Sequence, residues 1–436
     1  MPPEVPLTSR ARDEVICHRG AAGIVTVGGF LDAAAALAAR LPETGYAVNL
    51  CTDRYFTLLG FAAALLRGHP TLLGGGPGAA PAFLRMAVES YPGAYALLDH
   101  ARAVPMQVHR ADAPLSAAPA APPPIPVDRV AAIAFTSGST GIPTAHAKPW
   151  GAVLVGADMA AERFGFRHAD GPTTYLVATM PLQHMYGFET ALMLPLRAAV
   201  ALHAGAAFFP SDVRDALASL PERRLLVTTP LHLRALIAEG RPMPKLSAVI
   251  SATAPLPRET AEAVEHGWGA PMLEIYGASE AGSMASRRTL HDETWLPYSG
   301  VGLRPGVATV PGIGEVALSD TLEFGPDGRF RLLGRLSDVV KLGGKRASLA
   351  ELNRELTQVP GVQDGVFLPP EEDSPTARFT AYAVAPGQTP EEILAALRAR
   401  LDPAFLPRRV VLVDALPRDA MGKLPRRALE ALEAGS

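Results

Sequence analysis

A loop rich in glycine and hydroxyl side chains follows a short apolar run at residues 130–135, which predicts a buried strand. The loop consists of Thr136, Ser137, Gly138, Ser139, Thr140 and Gly141. Glycines let backbone N–H groups approach an anion closely, and hydroxyls add further donors. The loop therefore predicts a phosphate-binding site, and taken alone an ordinary Gly/Ser turn explains it equally well. A Walker A loop is excluded, because Pro143 stands where that motif has its second glycine.

Four more residues have side chains suited to a nucleotide. Tyr276 follows an apolar run and precedes Gly277, a pairing that suits an aromatic ring stacked on a purine. Glu280 offers the hard oxygen ligands that suit a Mg²⁺ ion bridging phosphates. Without the rest of its motif, a solvated carboxylate would be the better interpretation of this residue. The two oxygens of Asp320 could accept both hydroxyls of a vicinal diol. Lys423, in a Gly-Lys turn, could stabilise a charged transition state, although most lysines are simply solvated.

The elements that must position these residues alternate between short apolar runs and helical patterns. This alternation predicts parallel βα units and an α/β fold of doubly wound sheets, which bind ligands at the carboxyl ends of their strands. Strands are predicted at residues 46–50, 71–73, 94–98, 174–179, 199–203, 225–229, 248–251 and 272–275. Helices are predicted at residues 55–67, 80–90, 152–164, 190–197, 213–219, 231–239 and 258–267.

The remainder of the chain has a different pattern. Residues 111–126 are rich in Ala and Pro and predict a stiff connector without helix or strand. Residues 312–333 show the period of two typical of a β-rich cap, and residues 336–436 predict a small α+β domain. The predicted division is an N-terminal core at 1–335, with subdomains at about 1–110, 127–300 and 301–335, and a mobile C-terminal domain at 336–436.

The composition narrows the class of protein. The chain has 436 residues and a net charge of -3, which gives no indication of a nucleic-acid or membrane-surface partner. Its two cysteines, Cys17 and Cys51, form no CxxC motif, so neither a disulfide framework nor structural zinc is expected and a cytoplasmic location is the default. The first residues do not resemble a signal peptide, and charged residues interrupt the longest apolar stretch, so no membrane span is expected.

Read together, the motifs resemble the adenylate-forming (ANL) superfamily, which comprises acyl-CoA synthetases, peptide-synthetase adenylation domains and luciferases. The resemblance rests on their order along the chain. The motifs are the loop at 136–143, Pro-Leu-Gln-His-Met-Tyr-Gly at 181–187, Ser-Ala-Thr-Ala-Pro-Leu at 251–256, Tyr-Gly-Ala-Ser-Glu at 276–280, Asp320, Gly-Arg-Leu-Ser-Asp at 334–338, Gly-Gly-Lys-Arg at 343–346 and Met-Gly-Lys at 421–423.

This resemblance implies an enzyme that uses ATP and Mg²⁺ to convert a carboxylic acid to an acyl-adenylate. The acyl group then passes to the pantetheine thiol of CoA or of a holo-acyl carrier protein. By resemblance, Glu280 holds the metal, Lys423 is catalytic, and His184 borders and gates the acyl pocket, although a lone histidine is more often structural. The residues implied to contact the nucleotide are Thr253, Ala254, Tyr276, Gly277, Ala278, Ser279, Asp320 and Arg335, together with the loop.

Some positions depart from the family pattern. Thr144 stands where the loop lysine is usual, with Lys148 four residues later, and Ser337 stands at the hinge. No early Asp is placed to hold an ammonium, which favours an acid other than an amino acid. The run at 144–150 resembles the short ligases of aryl-polyene and xanthomonadin pathways, which implies an aromatic or unsaturated acid. The alternatives are a degenerate, non-catalytic nucleotide sensor, suggested by Thr144, and a luciferase-like oxidase.

Overall fold

The computed structural model describes residues 2–74, 76–114, 122–137, 143–166, 171–335, 339–342, 345–369, 378–418 and 424. It contains two compact units. The first comprises Met1–Leu303 and Ala308–Val316, and the second comprises Arg304–Val307 and Ala317–Ser436. The domain boundary after residue 335 stays a prediction.

The first part of the first unit alternates strands and helices, as the sequence predicts. A side-chain oxygen of Asp53 accepts the N–H of Tyr55 at the start of the second helix, and Gly68 ends that helix in the left-handed conformation with φ of 89°. The elements are β1 (Glu4–Val5), β2 (Val15–His18), β3 (Ile24–Thr26), α1 (Val27–Ala38), β4 (Tyr46–Asn49), α2 (Arg54–Arg67), β5 (Thr71–Leu72), α3 (Pro81–Ser90), β6 (Ala94–Leu98), β7 (Gln107–Arg110), β8 (Ile125–Pro126), β9 (Val130–Ser137) and β10 (Pro143–Pro149).

Six of these strands form one sheet in the order β10-β9-β5-β4-β6-β7. All neighbours are parallel except β9 and β10, which form an antiparallel pair. The two strands of that pair flank residues 138–142, so the loop predicted to bind phosphate connects an edge strand to its neighbour.

The rest of the first unit builds a larger sheet. Its elements are α4 (Trp150–Arg163), β11 (Thr174–Ala178), α5 (Met185–Gly187), a π-helical segment (Phe188–Met193), α6 (Leu194–Arg197), β12 (Val200–His203), α7 (Pro210–Ala218), β13 (Arg224–Thr228), α8 (Pro230–Ala238), β14 (Ala248–Ser251), α9 (Arg258–Trp268), β15 (Met272–Ala278), β16 (Gly282–Arg288) and β17 (Leu296–Pro297).

This sheet has nine strands in the order β17-β16-β15-β14-β13-β11-β12-β2-β3. The six strands from β15 to β2 are parallel, and antiparallel strands lie at both edges. Apolar residues of β11, β13, β14 and β15 pack with helices α7 to α9 in one buried cluster. The chain continues from β11 to β12 on one side and then to β13 on the other side of β11, so the topological switch point lies between β11 and β13. Because these strands are parallel, the motifs after β11, β14 and β15 lie at the same edge of the sheet.

The second unit contains antiparallel hairpins and a small α+β layer. A three-stranded sheet of β18 (Gly302–Arg304), β19 (Val307–Val310) and β20 (Gly314–Ala317) includes residues assigned to both units. The other elements are β21 (Asp320–Phe324), β22 (Phe330–Arg335), β23 (Val339–Leu342), β24 (Lys345–Ser348), α10 (Leu349–Thr357), β25 (Asp364–Leu368), β26 (Thr380–Val384), α11 (Pro390–Arg398) and β27 (Arg409–Leu412).

The predicted α/β class is confirmed, and two local predictions need correction. Residues 125–126 were expected to lack regular structure, but β8 pairs with β1 in the register Val5 to Ile125. A single helix was expected at residues 190–197, whereas the helical segment begins at Met185 and has a π-helical middle. The elements that were not predicted at all include β2, α1, β7 and the two polar strands β10 and β16.

Within the described part of the chain, no helix combines the length and the apolar character needed to cross a bilayer. Both Cys17 and Cys51 are buried free thiols.

Candidate functional site

Glu280 lies in the loop of the hairpin formed by β15 and β16. Ala278 and Gly282 are paired across this hairpin, which leaves three residues in its loop, and Ala281 N–H donates to Ala278 C=O at 3.1 Å. Gly282 has a φ of +79°, the left-handed conformation that three-residue hairpin loops require after their turn. Gly277 is needed by the hairpin itself, because a Cβ there would come within 2.6 Å of the Gly282 carbonyl oxygen.

Two charged side chains hold this loop from within the first unit. The Nζ of Lys148, on β10, donates to the Glu280 carbonyl oxygen at 2.7 Å. The carboxylate of Glu189 accepts the Ser283 backbone N–H at 3.1 Å and the Ser283 Oγ–H at 2.6 Å. The main chain is therefore held at the Glu280 carbonyl and again at Ser283.

The Lys148 ammonium and the Glu189 carboxylate are both largely shielded from solvent. Lys148 is 2% exposed, and burial lowers the pKa of its ammonium, while the nearby Glu189 and Glu280 carboxylates oppose that shift. A small part of Glu189 reaches solvent, but its carboxyl group is packed among protein atoms. That burial raises the carboxyl pKa, and the hydrogen bonds from Ser283 and the charge of Lys148 oppose it. Each buried charge is thus partly compensated by the other.

The β9–β10 hairpin carries the first residue of the predicted phosphate loop. Thr136 Oγ1 lies 2.9 Å from His146 Nε2, within hydrogen-bond distance. Thr144, His146 and Lys148 alternate along β10 and therefore share one face of the strand. Thr144 is exposed, His146 is half-buried and Lys148 is buried. The polar face of β10 thus runs from the phosphate loop to the Glu280 hairpin.

The Tyr276 ring is part of a packed aromatic group. The centre of the Tyr276 ring lies 5.8 Å from the centre of the Trp295 ring. The Arg287 guanidinium lies over the Trp295 ring, 4.5 Å from its centre. Arg287 in turn pairs with the buried carboxylate of Glu274 at 2.6 Å. This packing fixes the orientation of the tyrosine, as a stacking platform for a purine requires.

The segment after β14 contains a strained residue. Thr253 has a φ of +82°, which a β-branched residue rarely adopts. Such strain is typical of functional sites, because the surrounding structure must maintain it. Ala254 follows it and is half-buried. His184 precedes α5, and the Tyr186 hydroxyl lies 3.1 Å from the carbonyl oxygens of Thr228 and Ile250, which attaches this loop to two strand ends.

The second unit contains the other predicted nucleotide residues. Asp320 is the first residue of β21 and Arg335 the last of β22, and they are direct partners across the hairpin. Arg418 pairs with Asp364 at 2.7 Å, and Lys345 with Asp402 at 2.5 Å. The predicted residues Gly138, Ser139, Thr140, Gly141 and Lys423 lie outside the described residues, as do Ser337 and Asp338 of the predicted hinge.

The donor set of the first unit fits magnesium bound through a nucleotide. No group of three His, Cys, Asp or Glu side chains among the described residues could hold a metal by itself. Glu280 is half-exposed, in a hairpin loop fixed through its main chain. A single carboxylate together with phosphate oxygens is the usual environment of Mg²⁺. The structure therefore gives Glu280, Tyr276 and Thr136 packed or hydrogen-bonded supports within the first unit, and their roles toward a nucleotide stay predictions.

Sequence reasoning missed the supporting residues Glu189, Ser283, His146 and Trp295 and left the role of Lys148 open. The one available signal was the alternation of polar side chains at 144, 146 and 148, which is typical of a strand.

Comparisons with known proteins agree with this arrangement. A family model described as "AMP-binding enzyme" matches residues 84–313. The 4-coumarate–CoA ligase of Rhodobacter capsulatus is 29% identical over 297 residues, which cover 67% of this chain and 74% of the relative. Phosphinothricin tripeptide synthetase PhsC of Streptomyces viridochromogenes is also 29% identical, over 73% of this chain, and the match spans only 33% of that longer protein.

Solved structures show the same fold. O-succinylbenzoate CoA synthetase of Bacillus subtilis, in complex with ATP and a magnesium ion, has a TM-score of 0.80 at 19% identity and covers 96% of this chain and 97% of its own. ATP-bound MatB of Rhodopseudomonas palustris has a TM-score of 0.80 at 19% identity, and the match covers 97% of this chain and 96% of MatB.

Proposed function

This chain belongs to the AMP-binding enzyme family, and we propose that it activates an aromatic or unsaturated carboxylic acid and transfers it to a pantetheine thiol. The family matches confirm the predicted ANL superfamily, the class of AMP-forming acid–thiol ligase, and ATP with Mg²⁺ as its cofactors. The acid, the acceptor, the cytoplasmic location and the aryl-polyene subtype are proposals.

The observation that carries the choice of acid is the engagement of Glu189. This carboxylate lies two residues after the motif at 181–187, which is implied to border the acyl pocket. Because Ser283 donates both its N–H and its Oγ–H to Glu189 and the charge of Lys148 acts on the same carboxylate, much of the negative charge that an amino-acid ammonium would need is already engaged. The similarity to a coumarate–CoA ligase supports an aromatic or unsaturated acid in its place.

The proposed reaction has two steps. In the first, a carboxylate oxygen of the acid attacks the α-phosphorus of ATP, and pyrophosphate leaves. In the second, the thiol sulfur attacks the acyl carbon, AMP leaves, and the thiol proton is released. Mg²⁺ held by Glu280 would neutralise phosphate charge. Tyr276, Thr253 and Ala254 would orient the adenine.

Four further residues complete the proposed mechanism. Asp320 and Arg335 would bind the ribose, since they face each other across one hairpin. Lys423 would stabilise the charge that develops between the carboxylate and the α-phosphate. His184 would gate the acyl pocket.

The test is ATP–pyrophosphate exchange with a panel of acids that contains cinnamate, 4-coumarate, benzoate, a saturated fatty acid and several amino acids. We expect exchange with one of the aromatic or unsaturated acids, and a loss of roughly 10²–10³ in rate in Lys423→Ala. The exposed Lys245→Ala is the matched control.

Further arms of the test separate the remaining possibilities. CoA and holo-acyl carrier protein are then compared as acceptors by mass spectrometry. Exchange with amino acids alone would refute the proposed substrate class. ATP binding without exchange with any acid would instead establish the non-catalytic nucleotide sensor, which the exposed Thr144 favours.

A further inference from the structure

We propose that Lys148 and Glu189 are positioning residues that hold the Glu280 hairpin loop in the conformation that binds the metal–phosphate group. Neither residue is placed to contact the nucleotide itself. They act on the main chain at the Glu280 carbonyl and at Ser283, three residues later, and their effect on metal binding is therefore indirect.

Lys148 makes the first contact, at the Glu280 carbonyl. Its Nζ reaches the carbonyl oxygen of Glu280, 132 residues away in sequence, at 2.7 Å. This is a charge-assisted hydrogen bond from a residue that is 2% exposed, so water does not compete for the donor. Because a carbonyl and its own Cα are rigidly connected, holding this oxygen limits the directions that the Glu280 side chain can take.

Glu189 makes the second contact, at Ser283. Its carboxylate accepts two hydrogen bonds from Ser283, and its Oε1 occupies the space that a Cβ on Gly282 would need. The left-handed conformation of Gly282 brings the chain back toward this carboxylate. The loop at residues 279–281 is consequently held at its middle residue by Lys148 and just beyond its end by Glu189, while the Glu280 side chain itself stays half-exposed.

The position of Lys148 adds a connection to the phosphate loop. Lys148 lies on β10, the strand that leaves that loop, and shares a face with His146, which contacts Thr136. A shift of the β9–β10 hairpin would therefore move the donor that fixes Glu280. We infer that β10 keeps the phosphate loop and the metal carboxylate in register with each other.

The experiment compares Lys148→Met, Glu189→Gln and Glu280→Gln with the exposed control Lys245→Met. Calorimetric titration gives the Mg²⁺ concentration that half-saturates ATP binding, and AMP binding in EDTA serves as the metal-independent reference. Amide hydrogen exchange of residues 278–288 is measured in the protein without any ligand.

We expect Lys148→Met to raise the half-saturating Mg²⁺ concentration roughly tenfold or more, since a hydrogen bond to a charged donor is lost. AMP binding in EDTA should stay within about twofold, and hydrogen exchange in the 278–288 segment should be roughly tenfold faster. Glu189→Gln should act in the same direction. The Lys245→Met control should match the unmodified protein in all three measurements.

Three results would overturn the proposal: unchanged Mg²⁺ dependence in folded Lys148→Met, unchanged exchange in the loop, or an equal loss of AMP binding in EDTA. If Lys148→Met does not fold, Glu189→Gln and Ser283→Ala carry the test under the same criteria. The inference rests on the proposed assignment of Glu280 to the metal. An unchanged Mg²⁺ dependence in Glu280→Gln would refute that assignment, whereas a change in Glu280→Gln alone would refute only the role of Lys148 and Glu189.

Discussion

Replacing Gly282 by alanine tests whether the hairpin that carries Glu280 depends on its packing against Glu189. Gly282 has a φ of +79°, and a Cβ at this position would collide with Glu189 Oε1. Gly282→Ala therefore has two effects. It places an L side chain in the left-handed region, and it displaces the carboxylate from Ser283.

The magnitude follows from these two effects. Left-handed backbone costs roughly 1–2 kcal/mol for a residue with a Cβ. Losing hydrogen bonds to a buried carboxylate costs about 1.5–3 kcal/mol. We therefore expect the free energy of unfolding of the first unit to fall by roughly 2.5–5 kcal/mol.

A second glycine provides the control. Gly240 has a φ of +66° and no atom within 4 Å of the position that a Cβ would occupy. Gly240→Ala thus experiences the backbone strain without the collision, and its loss should be only about 1–2 kcal/mol.

Urea unfolding followed by tryptophan fluorescence is the appropriate assay. The three tryptophans, Trp150, Trp268 and Trp295, all belong to the first unit, so the signal reports that unit alone. Equal losses in Gly282→Ala and Gly240→Ala would refute the reasoning, because the Glu189 carboxylate would then move aside without penalty.

Two further predictions concern other parts of the first unit. Asp99 accepts hydrogen bonds from His100 and from N–H groups before α2; burial raises its pKa, but these bonds together hold the pKa below the ordinary value of 3.8. Because the pKa of Asp99 is lower in the folded state, the ionised carboxylate stabilises the protein above pH 3.8. This stabilisation is lost as the pH falls below 3.8. Asp99→Asn should thus lower the free energy of unfolding by about 1.5–3 kcal/mol at pH 7, and by progressively less below pH 3.8, as measured by urea unfolding. A loss that does not change with pH would contradict this. Thr253→Gly should stabilise the protein by roughly 0.5–1 kcal/mol, because relief of left-handed strain exceeds the extra entropy of the unfolded chain, and a loss of stability in the same assay would contradict it.

Most parallel strands could be predicted to within one or two residues; the exceptions are β2 and β7, which were not predicted, and β15, which continues to Ala278. Strands such as β11 and β14 are covered on both faces, so nearly every residue in them is apolar, and the run itself marks the strand. The helices between them have polar faces that separate one run from the next. The order of elements along the chain therefore determined the α/β class.

The supports of the site could not be predicted in the same way. Strands β10 and β16 have the sequences PTAHAKP and GSMASRR, in which polar residues occur at buried positions, so no apolar run marks either strand. The contact from Lys148 to Glu280 joins residues 132 positions apart, and no local pattern encodes it. Glu189 lies in a π-helical segment, where the usual spacing of 3.6 residues does not apply.

The position of Lys148 also decides how the loop lysine missing at Thr144 can be replaced. Lys148 was the nearest cation in sequence, but its ammonium is buried and donates to the Glu280 carbonyl oxygen. To reach a phosphate it would have to break that hydrogen bond and release the loop that carries the metal carboxylate. In the proposed mechanism, phosphate charge would then be neutralised by the loop hydroxyls, by Mg²⁺ on Glu280 and by cations such as Lys423. Nucleotide binding by this protein should consequently depend more steeply on Mg²⁺ than in the same protein with Thr144 replaced by lysine.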